Sequence, residues 1–292
     1  MAFVMVMCYE KQMVRDLIWW IEDNIEEGKT IDDLVNHVGY SRRTVQLMFK
    51  NEYGLPVGTY MRQRKMCRAA TLLRLTKLSV IDIANRVHFN GAQNFSRAFK
   101  KSFNMSPTEY RNLSSWDLSS LVPSIDIENR WQIDTSIIYF SSIYIDGEDY
   151  FYQQKILTPP TLESQKNRLK KIRHYADLYK NNVIIASNFS PSNNQHSAIG
   201  DCIDVTMLTG IEVMVHSMRN GVFYVEGGRY AKFVFHGRWS DYLKFSYYIY
   251  MNVLPKANLH RRSGFDIESF HYTEHLFDND PLFTCEYFIP VD

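Results

Sequence analysis

Two sets of polar side chains recur at helical spacing in the first third of the chain: Arg42, Arg43, Gln46 and Lys50, and then Gln93, Ser96, Arg97, Lys100 and Lys101. Arginine and glutamine carry hydrogen-bonding forks that fit guanine and adenine edges in a major groove, and lysine neutralises phosphate. A second chemistry is suggested near the C-terminus, where Glu286 lies in the strand-like run Thr284-Cys285-Glu286-Tyr287-Phe288-Ile289. Alternation sets Glu286 on the face of Phe288 and opposite Tyr287. A carboxylate among aromatic rings is costly to bury ionised without a partner, so Glu286 is a candidate counter-charge for a bound cation. Glu268, in IESF, is the second candidate, with Tyr224, Tyr230, Trp239, Tyr247 and Tyr272 as candidate wall residues. The alternative is that Glu286 lies on a solvated sheet face and the aromatics are ordinary core, since tyrosine is common in strands.

Other constellations point to less. His271-Tyr272-Thr273-Glu274-His275 matches the His-x-x-Glu-His pattern of one metallopeptidase class, which needs both histidines on one helix face and a third ligand downstream. Here the pentad follows an apparent strand and precedes the turn-like LFDNDPLF, so a metal-dependent hydrolase is only a remote alternative. Cys8, Cys67, Cys202 and Cys285 are too scattered for a zinc site. With neither a glycine-rich phosphate loop nor a Gly-x-Ser-x-Gly elbow, the expectation is no enzyme, no catalytic residue, no metal and no cofactor.

The polar rows need helices to present them, and the sequence supplies a helix-turn-helix pattern twice. The copies are TIDDLVNHVGYSRRTVQLMFKNEYG and SVIDIANRVHFNGAQNFSRAFKKSFN. Ile83 answers Leu34, Val87 answers Val38 and Phe89 answers Tyr40 at an offset of 49; Phe99 answers Phe49, Lys100 answers Lys50, Phe103 answers Tyr53 and Tyr110 answers Tyr60 at an offset of 50. The turn has gained one residue. In the first copy Ile31, Leu34, Val35 and Val38 form one buried face behind an N-cap at Thr30, and Gly39 ends the helix. Ser41 caps the next helix, which buries Val45, Met48 and Phe49. In the second copy Phe95, Ala98 and Phe99 are the buried set, and His88 and Asn104 stand where Gly39 and Gly54 stood; both residue types visit positive φ more readily than most. Residues 57–75 read as a longer joining helix with Tyr60, Met61, Met66, Ala69, Leu72 and Leu73 facing both subdomains. At ~1.5 Å per residue it spans about 25 Å, which suits two reading helices in successive major grooves about 34 Å apart.

Charge follows the same division. Residues 1–113 hold 17 basic against 11 acidic side chains, a net of +6, and the remainder holds 16 against 21, a net of −5. Residues 29–113 carry +10, the footprint of a surface that displaces counterions from nucleic acid. The 292 residues exceed one typical domain. The expected division is a helical domain at 1–115, a linker at 116–130 and a second domain at 131–292. Residues 113–130, LSSWDLSSLVPSIDIENR, read as a connection of limited intrinsic order. Beyond it SIIYFSSIYI (136–145), NVIIASNF (182–189), DCIDVTML (201–208), VFYVEGGRYAKFVFHG (222–237) and FTCEYFIPV (283–291) read as strands. Residues 162–180 and 240–254 have helical length, the second burying Tyr242, Leu243, Phe245 and Ile249 or their neighbours. The expectation is an α+β fold with an antiparallel sheet and two helices on one face. The apolar AFVMVMCY near the start is short, lacks basic flanks and runs into a charged helix, so neither a signal peptide nor a membrane span is expected.

These motifs resemble known families. IDIANRVHFNGAQNFSRAFKKSFNMSPTEYR is similar to the second helix-turn-helix of AraC/XylS-type transcription regulators, and WWIEDNIEEGKTIDDL, GYS, MFKNEYG and YMRQRKM follow in the order of its MarA/SoxS and Rob-type branch. GGRYAKFVFHG, a helix ending in LP, FDIESF and CEYFIPV resemble the GyrI-like ligand-binding domain. The resemblance implies a cytoplasmic activator, with no membrane association, that binds degenerate double-stranded DNA as a monomer, recruits RNA polymerase and controls stress or drug-resistance genes. It also implies a concave, aromatic-lined groove for a small amphipathic or cationic effector; a GyrI-like half serving only as a protein-interaction surface is the alternative. By resemblance Arg43, Gln46 and Leu47 occupy reading positions in the first helix, and Gln93 and Arg97 in the second. Two of these depart from the usual pattern, which has an aromatic at Arg43 and an arginine at Leu47. Leucine cannot fork onto guanine but can touch a thymine methyl.

Overall fold

The structure, a computed structural model, describes residues 2–125, 131, 133–156, 162–192, 202–214 and 220–292, with backbone alone at residues 2–11, 155, 162–164 and 243. The side chains of Cys8 and Leu243, and residues 126–130 of the expected linker, lie outside the described residues. The chain divides into two compact units: Met1–Leu73 with Leu78–Asn112 and Ser120–Arg130, and Arg74–Lys77 with Leu113–Ser119 and Trp131–Asp292.

Local signals fix the helices of the first unit. α1 (Ala2–Asn24) runs without a break from the apolar start of the chain. α2 (Ile31–Val38) begins in a capping box: the Asp33 amide donates to Thr30 Oγ1, and Thr30 N donates to the Asp33 carboxylate at 2.7 Å. α3 (Arg42–Tyr53) is capped by Ser41, whose Oγ accepts from the Thr44 amide. Gly39 and Gly54 close these helices at φ 71° and 74°, a left-handed turn that glycine adopts without a β-carbon clash. α4 (Val57–Leu75) follows, then α5 (Val80–Arg86), α6 (Ala92–Phe103) and α7 (Pro107–Arg111). His88 and Asn104 do take positive φ, each at 58°.

Each helix-turn-helix has its own core. Leu34, Val45 and Phe49 pack with Leu17, Ile18 and Ile21 of α1 and with Val57, Tyr60 and Met61 of α4. In the second, Phe95, Phe99, Phe103 and Tyr110 form a continuous aromatic stack, with centroids 4.4 Å apart between Phe99 and Phe103 and 5.4 Å between Phe99 and Tyr110. Ala98 is only half-buried. Among the described residues of this unit Arg64 is the most deeply buried charged group. Arg64, 2% exposed, places Nε and Nη2 on the two oxygens of Glu22 at 2.8 and 2.9 Å and donates Nη1 to the Val122 carbonyl at 2.7 Å. Tyr60 adds a hydrogen bond to Glu22. Burial alone pushes the Glu22 carboxyl up, but Arg64 and Tyr60 outweigh it and hold it below its ordinary value.

The second unit is built on an eight-stranded antiparallel sheet. Its strands are β2 (Ser136–Phe140), β3 (Ile143–Lys155), β4 (Val183–Pro191), β5 (Cys202–Val213), β6 (Val222–Val225), β7 (Gly228–Arg238), β9 (Asp266–Phe270) and β10 (Leu282–Pro290), in the order β2-β7-β10-β9-β4-β5-β3-β6. β1 (Trp116–Asp117) pairs separately with β8 (His260–Arg261). Two similar halves meet at the centre: β3, α8 (Leu162–Tyr179), β4 and β5, and then β7, α9 (Trp239–Tyr248), β9 and β10. β4 pairs with β9 there, Ile185 standing opposite Glu268. The helices share one face of the sheet, since Arg168 of α8 and Tyr242 of α9 both reach Glu268. That face buries Phe235, Tyr242, Phe245, Phe270 and Phe283. The other buries Ile145, Ile184, Leu208, Tyr230, Ile267 and Phe288.

The structure corrects several boundaries. SIIYFSSIYI is two strands broken at Ser141 and Ser142, because β2 pairs with β7 while β3 pairs with β5 and β6. VFYVEGGRYAKFVFHG is likewise two, broken at Glu226 and Gly227. The second expected helix widens after Tyr248 into a π turn (Ile249–Val253), where the Leu254 amide donates to the Ile249 carbonyl. Pro255 follows and removes an amide donor; the turn ends in the short α10 (Leu254–Lys256). The described part of the connection is not loosely ordered: Trp116, Leu118 and Leu121 are buried, the Val122 amide donates to Cys67 Sγ, and the Ile125 amide donates to Tyr60 Oη. Its serines and proline suggested a loose connection, but its spaced apolar side chains supply the burial that orders it.

Candidate nucleic-acid interface and effector site

α3 and α6 are each 12 residues long, and the offset of fifty superposes their outward rows. Gln93 takes the place of Arg43, Ser96 of Gln46, Arg97 of Leu47 and Lys100 of Lys50. Val45 and Phe49, and Phe95 and Phe99, turn inward, so Arg43, Gln46, Leu47, Lys50, Gln93, Arg97, Lys100 and Lys101 are exposed, and Ser96 is half-buried. Among the described residues neither Arg43 nor Arg97 has an intramolecular partner, which leaves both guanidinium forks open to a base edge. Leu47 is 50% exposed, so it is a surface residue of the reading row and not part of the core.

Arg42 differs from its neighbours. Its Nη1 donates to Asp32 at 2.8 Å in an exposed ion pair that turns it toward α2. Such a pair is weak, on the order of 0–1 kcal/mol, and a phosphate can displace it. Asn51 and Asn94 are also exposed on these helices, outside the two polar rows that spacing alone picks out. Asn94 precedes Arg97 by one helical turn, a spacing that could have revealed it; its Nδ2 donates to the Asn90 carbonyl at 2.9 Å.

The seven effector residues do not line one groove. Alternation along β10 sets Glu286 with Phe288 on the face away from the helices, and Tyr287 on the helix side, where its hydroxyl donates to Asp266. Lys232 Nζ donates to Glu286 Oε1 at 2.6 Å, and both side chains keep over a quarter of their surface. Tyr230 shares this face but is fully buried, with its hydroxyl on the Glu226 carbonyl and its ring 5.0 Å from the Arg262 guanidinium. Glu268 stands on the opposite face, 4% exposed, accepting from Arg168 Nη2 and from the Tyr242 hydroxyl. Trp239 belongs to that helix-side aromatic core. Tyr224 lies on edge strand β6 against Tyr144, Tyr247 is exposed on α9, and the Tyr272 amide donates to Asn182 Oδ1. Parity is the reason for the separation: Glu286 pairs across the ladder with Ser269, and Glu268 pairs with Tyr287.

Glu268 anchors a buried polar cluster that sequence reading did not find. The Tyr242 hydroxyl also lies 3.3 Å from Cys285 Sγ. Burial pushes both the Tyr242 hydroxyl and the Cys285 thiol well above their ordinary ranges, with Glu268 adding to each. Nearby, Arg261 donates to Asp266 and to the Tyr250 hydroxyl, and Tyr250 donates to Asp266 in turn. These partners lie on separate strands and helices, so no local spacing announces them. The His-x-x-Glu-His pentad does not occupy one α-helix: His271 precedes a short 3₁₀ turn (Glu274–Phe277), and His275 Nδ1 lies 3.4 Å from Asp278. Among the described residues no group of three His, Cys, Asp or Glu side chains is placed to hold a metal ion. No helix among them is long and apolar enough to cross a membrane.

Comparison with known proteins agrees with this architecture. Residues 34–113 match the helix-turn-helix domain family, and residues 157–292 match the GyrI-like small molecule binding domain family. The F1 operon positive regulatory protein of Yersinia pestis is 33% identical over 283 residues, covering 96% of this chain and 89% of that protein. The right origin-binding protein of Escherichia coli is 27% identical over 300 residues, covering 96% and 98%. The transcriptional regulator Rob of Salmonella typhimurium is 25% identical over 286 residues, again covering 96% and 98%. Matched along nearly its whole length, with the two domains in the same order, this chain belongs to the AraC/XylS family of transcription regulators in its Rob-type form, an AraC-type DNA-binding domain followed by a GyrI-like small-molecule-binding domain.

Proposed function

We propose that this regulator is a cytoplasmic activator that binds degenerate double-stranded DNA as a monomer, engages RNA polymerase at stress or drug-resistance promoters, and answers to a small amphipathic or cationic effector held by its second unit. The observation that carries the reading is the duplicated outward row, with an arginine in each recognition helix that has no partner among the described residues. Arg43, Gln46, Leu47, Gln93 and Arg97 would read bases; Arg42, Lys50, Ser96, Lys100 and Lys101 would hold phosphates. Activation is supported by the Yersinia pestis relative, which is named a positive regulatory protein. In vitro transcription from a promoter carrying a site selected by this protein tests it. Transcript should rise with protein concentration, and a fall would make the protein a repressor.

For the effector, exchange energetics favour Glu286 over Glu268. The Lys232–Glu286 pair is part-exposed, so a ligand cation displaces a bond worth roughly 0–1 kcal/mol. Reaching Glu268 would mean breaking its bonds to Arg168 and Tyr242 at a carboxylate only 6% exposed, which costs more than displacing the part-exposed pair. A lipophilic aromatic cation should therefore raise the melting temperature of the wild type, and more so that of Lys232→Gln. Glu286→Gln should lose that shift while keeping any shift produced by a neutral isostere. Loss of both alike would mean that Glu286 acts through structure.

A further inference from the structure

The two helix-turn-helix copies differ at one residue that DNA reading leaves unused. The first copy closes its leading helix with Gly39; the second has His88, at φ 58°. A side chain in this left-handed conformation is strained, whereas glycine there is not. What the histidine gains is a bond across the first unit. His88 Nε2 lies 2.8 Å from the carbonyl of Glu26, a residue 62 positions earlier in the turn that follows α1. A carbonyl oxygen only accepts, so Nε2 carries the proton and donates. The ring also lies against Gly28, where a β-carbon would fall 2.7 Å from Nδ1 and 2.8 Å from Cγ. Gly28 has φ +72°, so the turn that receives the ring is itself one that glycine favours. Gly39 has no side chain and so makes no equivalent contact in the first copy, and a β-carbon there would meet nothing within 4 Å.

The contact spans an opening. Beside it lies a cleft of about 560 Å³ lined by Glu26, Leu78, Asp82, Asn85, Arg86 and His88. α3 is held in one core and α6 in the other, and the continuous α4 joins them. On the side of the cleft the second head is tied back through the imidazole. From this geometry we infer that His88 is a positioning residue: it fixes the angle between the two reading helices and so restricts the half-site spacing this regulator accepts. The inference rests on the proposed two-headed reading of DNA.

The test uses the full chain and duplexes selected by the wild type from a random pool, together with derivatives in which one base pair is inserted or deleted between the half-sites. His88→Gly and His88→Asn both tolerate positive φ, and neither can reach Glu26. Their thermal unfolding should match or exceed that of the wild type. Each should bind the selected duplex about tenfold more weakly, as expected for one lost hydrogen-bonded brace, and the penalty for altered spacing should shrink. Equal weakening at all spacings would make His88 a local structural residue, and no change in a folded variant would remove the brace; either overturns the inference. Arg43→Ala and Arg97→Ala, run alongside, separate it from the reading beneath it. If either fails to weaken binding, the two-headed reading fails; if both weaken it while His88→Gly keeps the spacing preference, only the brace fails.

Discussion

Arg97 and Lys100 lie on the same exposed face of α6, three residues apart, yet they should fail in different ways. Neither side chain is part of a core, so alanine at either position should change unfolding stability by no more than about 0.5 kcal/mol. Among the described residues Arg97 has no intramolecular partner to leave unsatisfied, so its removal should cost chiefly what it does on DNA. A bidentate contact to guanine discriminates by roughly 1–3 kcal/mol, so Arg97→Ala should bind the selected site about 5- to 150-fold more weakly. It should lose little on a duplex whose matching base pair is already changed. Lys100→Ala should weaken every duplex by a similar factor and reduce the slope of log affinity against log salt by about 0.9. Fluorescence anisotropy with the selected duplex and its single-base variants, at several salt concentrations, measures both quantities. Equal specificity ratios for the two variants would refute the assignment of reading to Arg97 and charge neutralisation to Lys100.

Further outcomes follow from the same geometry. Leu47→Arg places a guanidinium in the first helix at the row that Arg97 occupies in the second, on a half-exposed site with room for it; the base preferred there should shift toward guanine, read by repeating the selection. Glu268→Gln weakens the buried acceptor that Arg168 and Tyr242 share and should destabilise the second unit by roughly 1–3 kcal/mol in urea, whereas Glu286→Gln should cost under about 1 kcal/mol. Because the Glu22 carboxyl is held below its ordinary value, its contribution to stability is complete above the unfolded-state pKa of roughly 4.3 and is lost as pH falls through the lower folded value. Urea midpoints measured through this acid range should fall less steeply for Glu22→Gln, and parallel curves would contradict the role given to Glu22.

What could be read from the sequence was local. Thr30, Ser41 and Gly39 mark helix ends through their own side chains or lack of one, and the three-and-four spacing of Leu34, Val38, Val45 and Phe49 identifies buried faces without knowledge of what covers them. Relations across the chain were not legible in this way. Arg168 meets Glu268 at a separation of 100 residues, and His88 meets Glu26 at 62. Strand parity predicted that Glu286 and Tyr287 part company, but it could not say which face the helices cover, so Glu268 and Trp239 were grouped with residues on the other side. Serines within SIIYFSSIYI hid a change of pairing partner, which only the sheet order reveals. The apolar residues of the connection, Trp116, Leu118 and Leu121, were visible signals of burial; the surrounding serines outweighed them.

The central claim is that both recognition helices enter DNA together. Hydroxyl-radical footprinting of the full chain on its selected duplex measures this most directly. Two protected segments about 10 base pairs apart on one face of the duplex are predicted, with Arg43→Ala releasing contacts in one and Arg97→Ala in the other. A single protected segment, unchanged by one of the two substitutions, would contradict it.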